Sequence, residues 1–333
     1  MSALTDRFGR VHDYLRISVT DRCNLRCLYC MPEEGVKFEP AENLLSYDQI
    51  AQVVRAGAEL GISKLRITGG EPLVRPGLPD LVRELASIPG IRDISLTTNG
   101  VLLADQAEAL RAAGLRRVNI SLDTLDPARF RFIARRGDLQ RVLQGIEAAA
   151  EAGFSPIKLN CVLLKGINED EIAAFLEMAV KRPLHVRFIE YMPIGHADDN
   201  WRNHYLPLSR VLEIAKQNNL EAEPMTNVLG NGPSEDFRIK GGAGTFGLIH
   251  PISDQFCARC NRLRLTADGN LQPCLYWVDE LNVKSALGSP EALEQLFLRA
   301  LDMKPRNHEM AAKLADEALT HEPTARRMSQ IGG

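Results

Sequence analysis

The stretch Leu15-Arg16-Ile17-Ser18-Val19-Thr20-Asp21-Arg22-Cys23-Asn24-Leu25-Arg26-Cys27-Leu28-Tyr29-Cys30 reads as a strand, Leu15–Thr20, running straight into a cysteine triad. The triad is spaced C-x3-C-x2-C. A second triad, Cys257, Cys260 and Cys274, is spaced C-x2-C-x13-C. Cluster iron is held by cysteine thiolates, normally four per cubane. Three thiolates leave one iron without a protein ligand. An open iron can bind and activate a small molecule, whereas a closed cluster only passes electrons. Two open sites in one chain point to two ligands brought together for chemistry.

Outward from this stretch, residues 15–191 alternate between strand and helix patterns. Further strands are expected at Leu65–Thr68, Asp93–Thr97, Arg117–Ser121, Ile157–Leu164 and Val186–Tyr191. Helices are expected at Tyr47–Leu60, Leu78–Leu85, Asp105–Ala113, Leu139–Ala152 and Glu169–Val180. Ser46 and Gln49 have the spacing of a capping box for the first of these. Gly61, Gly114 and Gly153 sit where helices stop. Alternation of this kind implies a parallel sheet. The expected fold class is α/β: an incomplete (β/α)6 TIM-like barrel, residues 1–220, with a C-terminal cluster-binding extension, residues 221–333. In the extension, Asp236–Lys240, Thr245–His250 and Arg262–Thr266 read as short strands and Leu293–Leu301 as helix.

The polar motifs gather where the strands end. Thr68-Gly69-Gly70-Glu71-Pro72, Thr97-Thr98-Asn99-Gly100, Ser121-Leu122-Asp123 and Glu190-Tyr191-Met192-Pro193 each follow a strand. The first triad joins them on the same rim, which in such barrels carries the active site. Glycines at Gly69 and Gly70 expose backbone groups to a ligand. Arg16, Lys64, Arg66, Lys158 and Arg187 lie on or beside strands, and Arg262 and Arg264 share one strand face. Together they suggest a pocket for a polyanion, with guanidinium forks suited to phosphate. For each one alone, an outward position paired with an acid is the alternative.

The bulk numbers exclude several classes. The 333 residues carry 40 basic and 43 acidic side chains, for a net charge of −3. That balance gives no global pull toward nucleic acid or anionic membrane. No apolar run approaches the ~20 residues of a membrane span, and no secretory signal is apparent near the N-terminus. Seven cysteines, six of them clustered, suit a reducing compartment and metal work rather than disulfides. Zinc remains open for both triads, with His250 a candidate fourth ligand for the second. Cys161, inside an apolar strand, reads as an inert core residue. The terminal Gly332-Gly333 is either a loose tail or a side-chain-free end that threads into a narrow site.

Cys23 to Cys30, with an aromatic before the last cysteine, resembles the signature of the radical S-adenosylmethionine (SAM) superfamily. Thr68-Gly69-Gly70-Glu71-Pro72 resembles its GGEP motif. Within that superfamily the chain resembles the GTP 3′,8-cyclase family of molybdenum cofactor biosynthesis. The features that carry this are Cys257-Ala258-Arg259-Cys260-Asn261-Arg262-Leu263-Arg264-Leu265, then Cys274, the segment Ile189 to Gly195, and Gly332-Gly333.

The resemblance implies two 4Fe–4S clusters, one on Cys23, Cys27 and Cys30 and one on Cys257, Cys260 and Cys274. It implies that Tyr29, Gly70, Ser121 and Met192 line the SAM site. Arg16, Arg66, Thr97, Lys158, Arg262, Leu263 and Arg264 would hold GTP, with help from Lys64 and Arg187, and Arg16, Arg262 and Arg264 would act in catalysis. The implied reaction is cleavage of SAM to a 5′-deoxyadenosyl radical, hydrogen abstraction from C3′ of GTP and closure onto C8. The implied partners are a flavodoxin or ferredoxin as electron donor and the next enzyme of molybdopterin synthesis. The implied state is a cytoplasmic homodimer, with no nucleic acid and no membrane partner. The alternatives are a radical SAM peptide maturase with an auxiliary cluster, and a zinc-stabilised binding module without catalysis.

Overall fold

A computed structural model of the chain describes residues 4–194, 199–226, 232–254, 256–315, 318–319 and 322–332. Its first part is built from β1 (Tyr14–Ser18), β2 (Lys64–Thr68), β3 (Asp93–Thr98), β4 (Arg117–Ser121), β5 (Ile157–Leu163) and β6 (Leu184–Glu190). Between them run α1 (Tyr47–Glu59), α2 (Leu78–Ser87), α3 (Ala107–Ala112), α4 (Pro127–Ala134), α5 (Leu139–Glu151) and α6 (Ile172–Lys181). Every strand and helix expected in this part is present, with small shifts at the ends. Helix α1 opens on the Ser46–Gln49 capping box and buries Ile50, Val53 and Val54 against the sheet. Helix α4 lies where no helix was expected. Its signals are Asp126, whose side chain accepts from the Arg129 N–H, and Pro127 at the first turn.

Adjacent strands are parallel and in register, so each row of side chains faces one way. Leu263, Leu15, Leu65 and Ile94 form one row, all buried in the core between sheet and helices. The residues on either side of them point the opposite way, into the barrel.

The later part contains α7 (Ser209–Gln217), β7 (Ala222–Pro224), β8 (Glu235–Ile239), β9 (Thr245–Ile249), β10 (Arg262–Leu265), β11 (Asn270–Gln272) and β12 (Leu281–Asn282), then α8 (Pro290–Asp302), α9 (Met310–Leu314) and α10 (Met328–Ile331). Its strands join both edges of the first part. Strand β9 pairs parallel with β6, and β10 pairs parallel with β1. The sheet order is β12-β11-β10-β1-β2-β3-β4-β5-β6-β9-β8-β7. The parallel arc therefore gains a strand at each side and stays open. A second apolar cluster, around Tyr191, Trp201, Tyr276, Trp277 and Ile331, seats the C-terminal segment.

Candidate active site

Inside the arc the register assembles the basic residues. Arg264, Arg16, Arg66 and Ser95 fall in one row. Thr97, Asn119, Lys158 and His185 form another, and Ser121, Asn160 and Arg187 a third. A cavity of ≈ 110 Å³ is lined by Arg16, Arg66, Asn160, Arg187, Arg262 and Arg264. Burial and neighbouring cations depress the pKa values of Arg16, Arg66, Arg187 and Arg264. Arg16 is held well below the usual arginine range by burial, then by Arg264 and Arg66. Burial and neighbouring cations push Arg187 down to about 9 and Lys158 to about 7. Arg187 Nε, Thr97 Oγ1 and Asn160 Oδ1 are buried with no hydrogen-bond partner among the described residues. Cations and polar atoms gathered in this way suit a phosphate-bearing ligand.

Two residues implied by the resemblance stand elsewhere. The Leu263 side chain faces the core, so only its backbone is turned toward the arginines. Lys64 Nζ bonds Asp13 Oδ2 at 2.7 Å near the start of β2. Asn119, which accepts from Arg187 Nη2 at 2.6 Å, and Asn160 were not anticipated, because a polar residue within a strand carries no sign of which face it takes.

The first triad sits on the loop after β1, with all three thiols free and part-buried. Helix α4 fixes the loop: the Arg26 and Leu28 N–H groups donate to Ala134 and Ile133 carbonyls at 3.0 and 2.9 Å. The GGEP loop lies against it so closely that a Cβ on Gly70 would stand 2.4 Å from the Arg22 carbonyl oxygen. These glycines are required by backbone packing. Glu71, fully buried, accepts from Thr98 Oγ1 at 2.7 Å, Asn99 N at 2.6 Å and Leu73 N at 3.0 Å. Asn99 Nδ2 in turn donates to Asn24 Oδ1 at 2.7 Å. Two rim loops are thus tied to the cysteine loop. Burial pushes Cys23 up to about 11 and Cys30 to about 12, and Cys27 is raised by burial and then by Asp123, Cys30 and Cys23. Thiols so disfavoured as anions ionise when a metal takes them.

All three cysteines of the second triad line one cavity with Met192, Arg262 and Arg264. Burial raises Cys260, but Arg262 and Lys304 outweigh it and bring the thiol down to about 6. Lys304 is buried, and its ammonium donates to the carbonyls of Arg262 and Pro273. It lies in the stretch of residues 302–325, which carries little signal in the sequence. His250 bonds Ser253 at 3.2 Å and pairs with Glu235 at 3.6 Å, so it is engaged away from the triad. Cys161 is in the core. Among the described residues, no three His, Cys, Asp or Glu side chains are grouped as one metal ion would need. A cubane asks for something different, one thiolate on each of three separate irons. Two triads of part-buried thiols, each with cationic or polar support, fit that group.

The arginine cavity and the second-triad cavity share Met192, Arg262 and Arg264. The C-terminal segment closes the other side. The Ser329 backbone donates to Cys30. Arg264 Nη1 donates to the Gly332 carbonyl at 2.6 Å. Gly332 has φ +68°, and a Cβ there would meet Thr68 Cγ2 at 2.3 Å. Gly332 is therefore threaded inside, while Gly333 and Gly195 lie outside the described residues. Tyr29, Gly70, Ser121 and Met192 come from four separate rim positions. Tyr29 stands edge-on to Tyr191 with ring centroids 6.3 Å apart.

An open parallel arc with a three-cysteine loop after its first strand defines a radical SAM enzyme. Residues 17–179 match the radical SAM superfamily, and residues 184–310 match the family described as Molybdenum Cofactor Synthesis C. GTP 3′,8-cyclase of Listeria monocytogenes is 57% identical over the full length of both chains. The proteins of that name in Lactiplantibacillus plantarum and Moorella thermoacetica are each 50% identical, over 100% and 99% of this chain and all of their own length. The chain belongs to the GTP 3′,8-cyclase family. Among solved structures, Streptococcus suis SuiB bound to S-adenosylmethionine aligns with a TM-score of 0.58 at 14% identity, covering 94% of this chain and 68% of SuiB. Native anSMEcpe with bound AdoMet aligns at 0.56 and 16%, covering 89% and 82%. These two share the fold. The full-length relatives carry the cyclase reading, and neither the peptide-maturase nor the zinc-module alternative.

Proposed function

We propose that this protein converts GTP to (8S)-3′,8-cyclo-7,8-dihydroguanosine 5′-triphosphate, the first step of molybdopterin synthesis. The observation that supports it most is the row Arg264–Arg16–Arg66, which lines one cavity and, through Arg264, reaches the cavity of the second cysteine triad. Cys23, Cys27 and Cys30 would hold the cluster that carries SAM, next to Tyr29, Gly70, Ser121 and Met192. Cys257, Cys260 and Cys274 would hold the second cluster, beside the guanine. When bound, the clusters and SAM supply the one-electron chemistry that removes the C3′ hydrogen.

The chain's own work is placement. Arg66, Lys158 and Arg187 take the triphosphate, with Thr97 and the polar atoms beside it. Fixing that end fixes C3′ in the cavity, which is an orientation effect. Arg16, Arg262 and Arg264 stand nearest the reacting end and stabilise charge on the closing ring. Met192 and the Gly332 segment exclude water from both sides. Residues 1–220 hold the SAM half of the site and residues 221–333 the second cluster. On this reading the enzyme is a cytoplasmic homodimer that takes electrons from a flavodoxin or ferredoxin and hands its product to the next enzyme of the pathway.

The test is release of 5′-deoxyadenosine by anaerobically reconstituted protein with SAM and reductant, with and without GTP. Release that requires GTP and consumes it supports the reading. Slow release indifferent to GTP overturns GTP as substrate.

A further inference from the structure

Asp123, just beyond β4, takes no part in the scheme above, yet it is 7% exposed and fully engaged. Its Oδ2 accepts from the Tyr29 hydroxyl at 2.7 Å. Its Oδ1 accepts from the Val162 N–H on β5 at 2.9 Å. Its backbone carbonyl accepts from Asn168 Nδ2 at 2.8 Å. Asn168 is itself buried and also donates to the Val162 carbonyl at 2.9 Å, while its Oδ1 accepts from the Leu164 N–H at 2.8 Å. The carboxylate is therefore built into two strands before it meets the tyrosine.

Tyr29 lies between Cys27 and Cys30 on the triad loop. The loop backbone is held from the other direction by α4. The Tyr29 hydroxyl ties the loop to Asp123 and, through that carboxylate, to β5. A phenol ring without its hydroxyl bond keeps two-fold freedom about its last torsion and loses its lateral anchor. With the bond, the ring plane is set by the sheet, edge-on to Tyr191.

We propose that Asp123 is a positioning residue for the SAM site, acting through the Tyr29 hydroxyl to fix the ring that borders the first triad. The proposal rests on the reading that SAM binds at that triad. A short bond from a hydroxyl to a buried carboxylate is among the stronger kinds.

The experiment is a double-mutant cycle on reconstituted enzyme, with SAM affinity measured by equilibrium dialysis of labelled SAM and GTP affinity by calorimetry. Iron content and circular dichroism check that each variant is assembled. Asp123→Asn keeps the Val162 bond at Oδ1 and replaces the acceptor facing Tyr29. It is expected to weaken SAM binding about 10-fold, with GTP affinity unchanged within about 2-fold. Tyr29→Phe should weaken SAM by a similar factor, and the double variant by no more than the larger single effect. The shift that SAM produces in the electron paramagnetic resonance signal of the reduced first cluster should be reduced in all three. Asp123→Asn with wild-type SAM affinity overturns the proposal, as does a double variant whose losses multiply. Wild-type enzyme that holds both clusters but does not bind SAM overturns the underlying reading and the proposal together.

Discussion

Arg16 has two like charges beside it, Arg264 and Arg66, each one strand away in the same row. Replacing it with methionine should move stability and function in opposite directions. Strands lie about 4.8 Å apart, and long side chains splay to about 7 Å. At that separation and an effective dielectric of about 20, each like-charge pair costs ~2.4 kcal/mol. Two pairs cost about 5 kcal/mol, against about 2 kcal/mol for the hydrogen bonding and packing that Arg16 itself contributes. Arg16→Met should therefore stabilise the ligand-free protein by about 3 kcal/mol, a rise in Tm of about 4 °C for a chain of 333 residues. GTP affinity should fall about 10- to 100-fold, as one charge-assisted contact is lost. The assay is calorimetric melting in phosphate-free buffer, followed by titration with GTP. A lower Tm for the variant would refute the reasoning, because it would mean that the row is already neutralised or that Arg16 packs more than it repels. Such opposition between stability and activity is expected where a site stores like charge.

Other outcomes follow from the same structure. Glu71 is held up to about 7 by burial, against 4.5 in an exposed chain. The folded state keeps its proton longer than the unfolded state, so this group stabilises the fold below about pH 4.5 and the contribution is lost as pH rises through 7. The loss amounts to about 3 kcal/mol across that window. Glu71→Gln should flatten the stability–pH curve there, seen by urea melts at several pH values. Cys161→Ala should leave iron per chain unchanged, whereas Cys260→Ala should remove about half of it, consistent with one cubane per triad. Gly332→Ala should unseat the chain end, since a Cβ meets Thr68 at 2.3 Å, and limited proteolysis should then release the C-terminal peptide faster.

Much of this was legible in the residues, for physical reasons. The strands of the first part alternate apolar and polar side chains, and helices such as α1 carry their own start signals. Motifs that follow a strand must fall on one rim, so the cysteine loop, the GGEP loop and Thr97 were placed together. Long-range pairing was not legible. That β10 lies beside β1, bringing Arg264 into register with Arg16, depends on chain segments some 250 residues apart and leaves no local trace. The two-residue period of the strand turns the Leu263 side chain into the core, while its neighbours Arg262 and Arg264 line the cavity. Lys64 found Asp13, and nothing in either residue's sequence surroundings announces the partner. Lys304 and Asp123 act through burial, which composition does not report.

The placement of β10 beside β1 and of β9 beside β6 has a consequence in time. During synthesis, β1 emerges early, but its outer partner is residues 262–265. At 5–20 residues per second the ribosome needs about 10–50 s to reach that partner. Until then the growing sheet exposes unpaired N–H and C=O groups along β1, the kind of edge to which other chains add. The strand that leads into the first cysteine loop is thus among the last to be enclosed. Assembly of this protein is expected to be largely post-translational, with iron delivery to the first loop competing against aggregation of a half-made sheet.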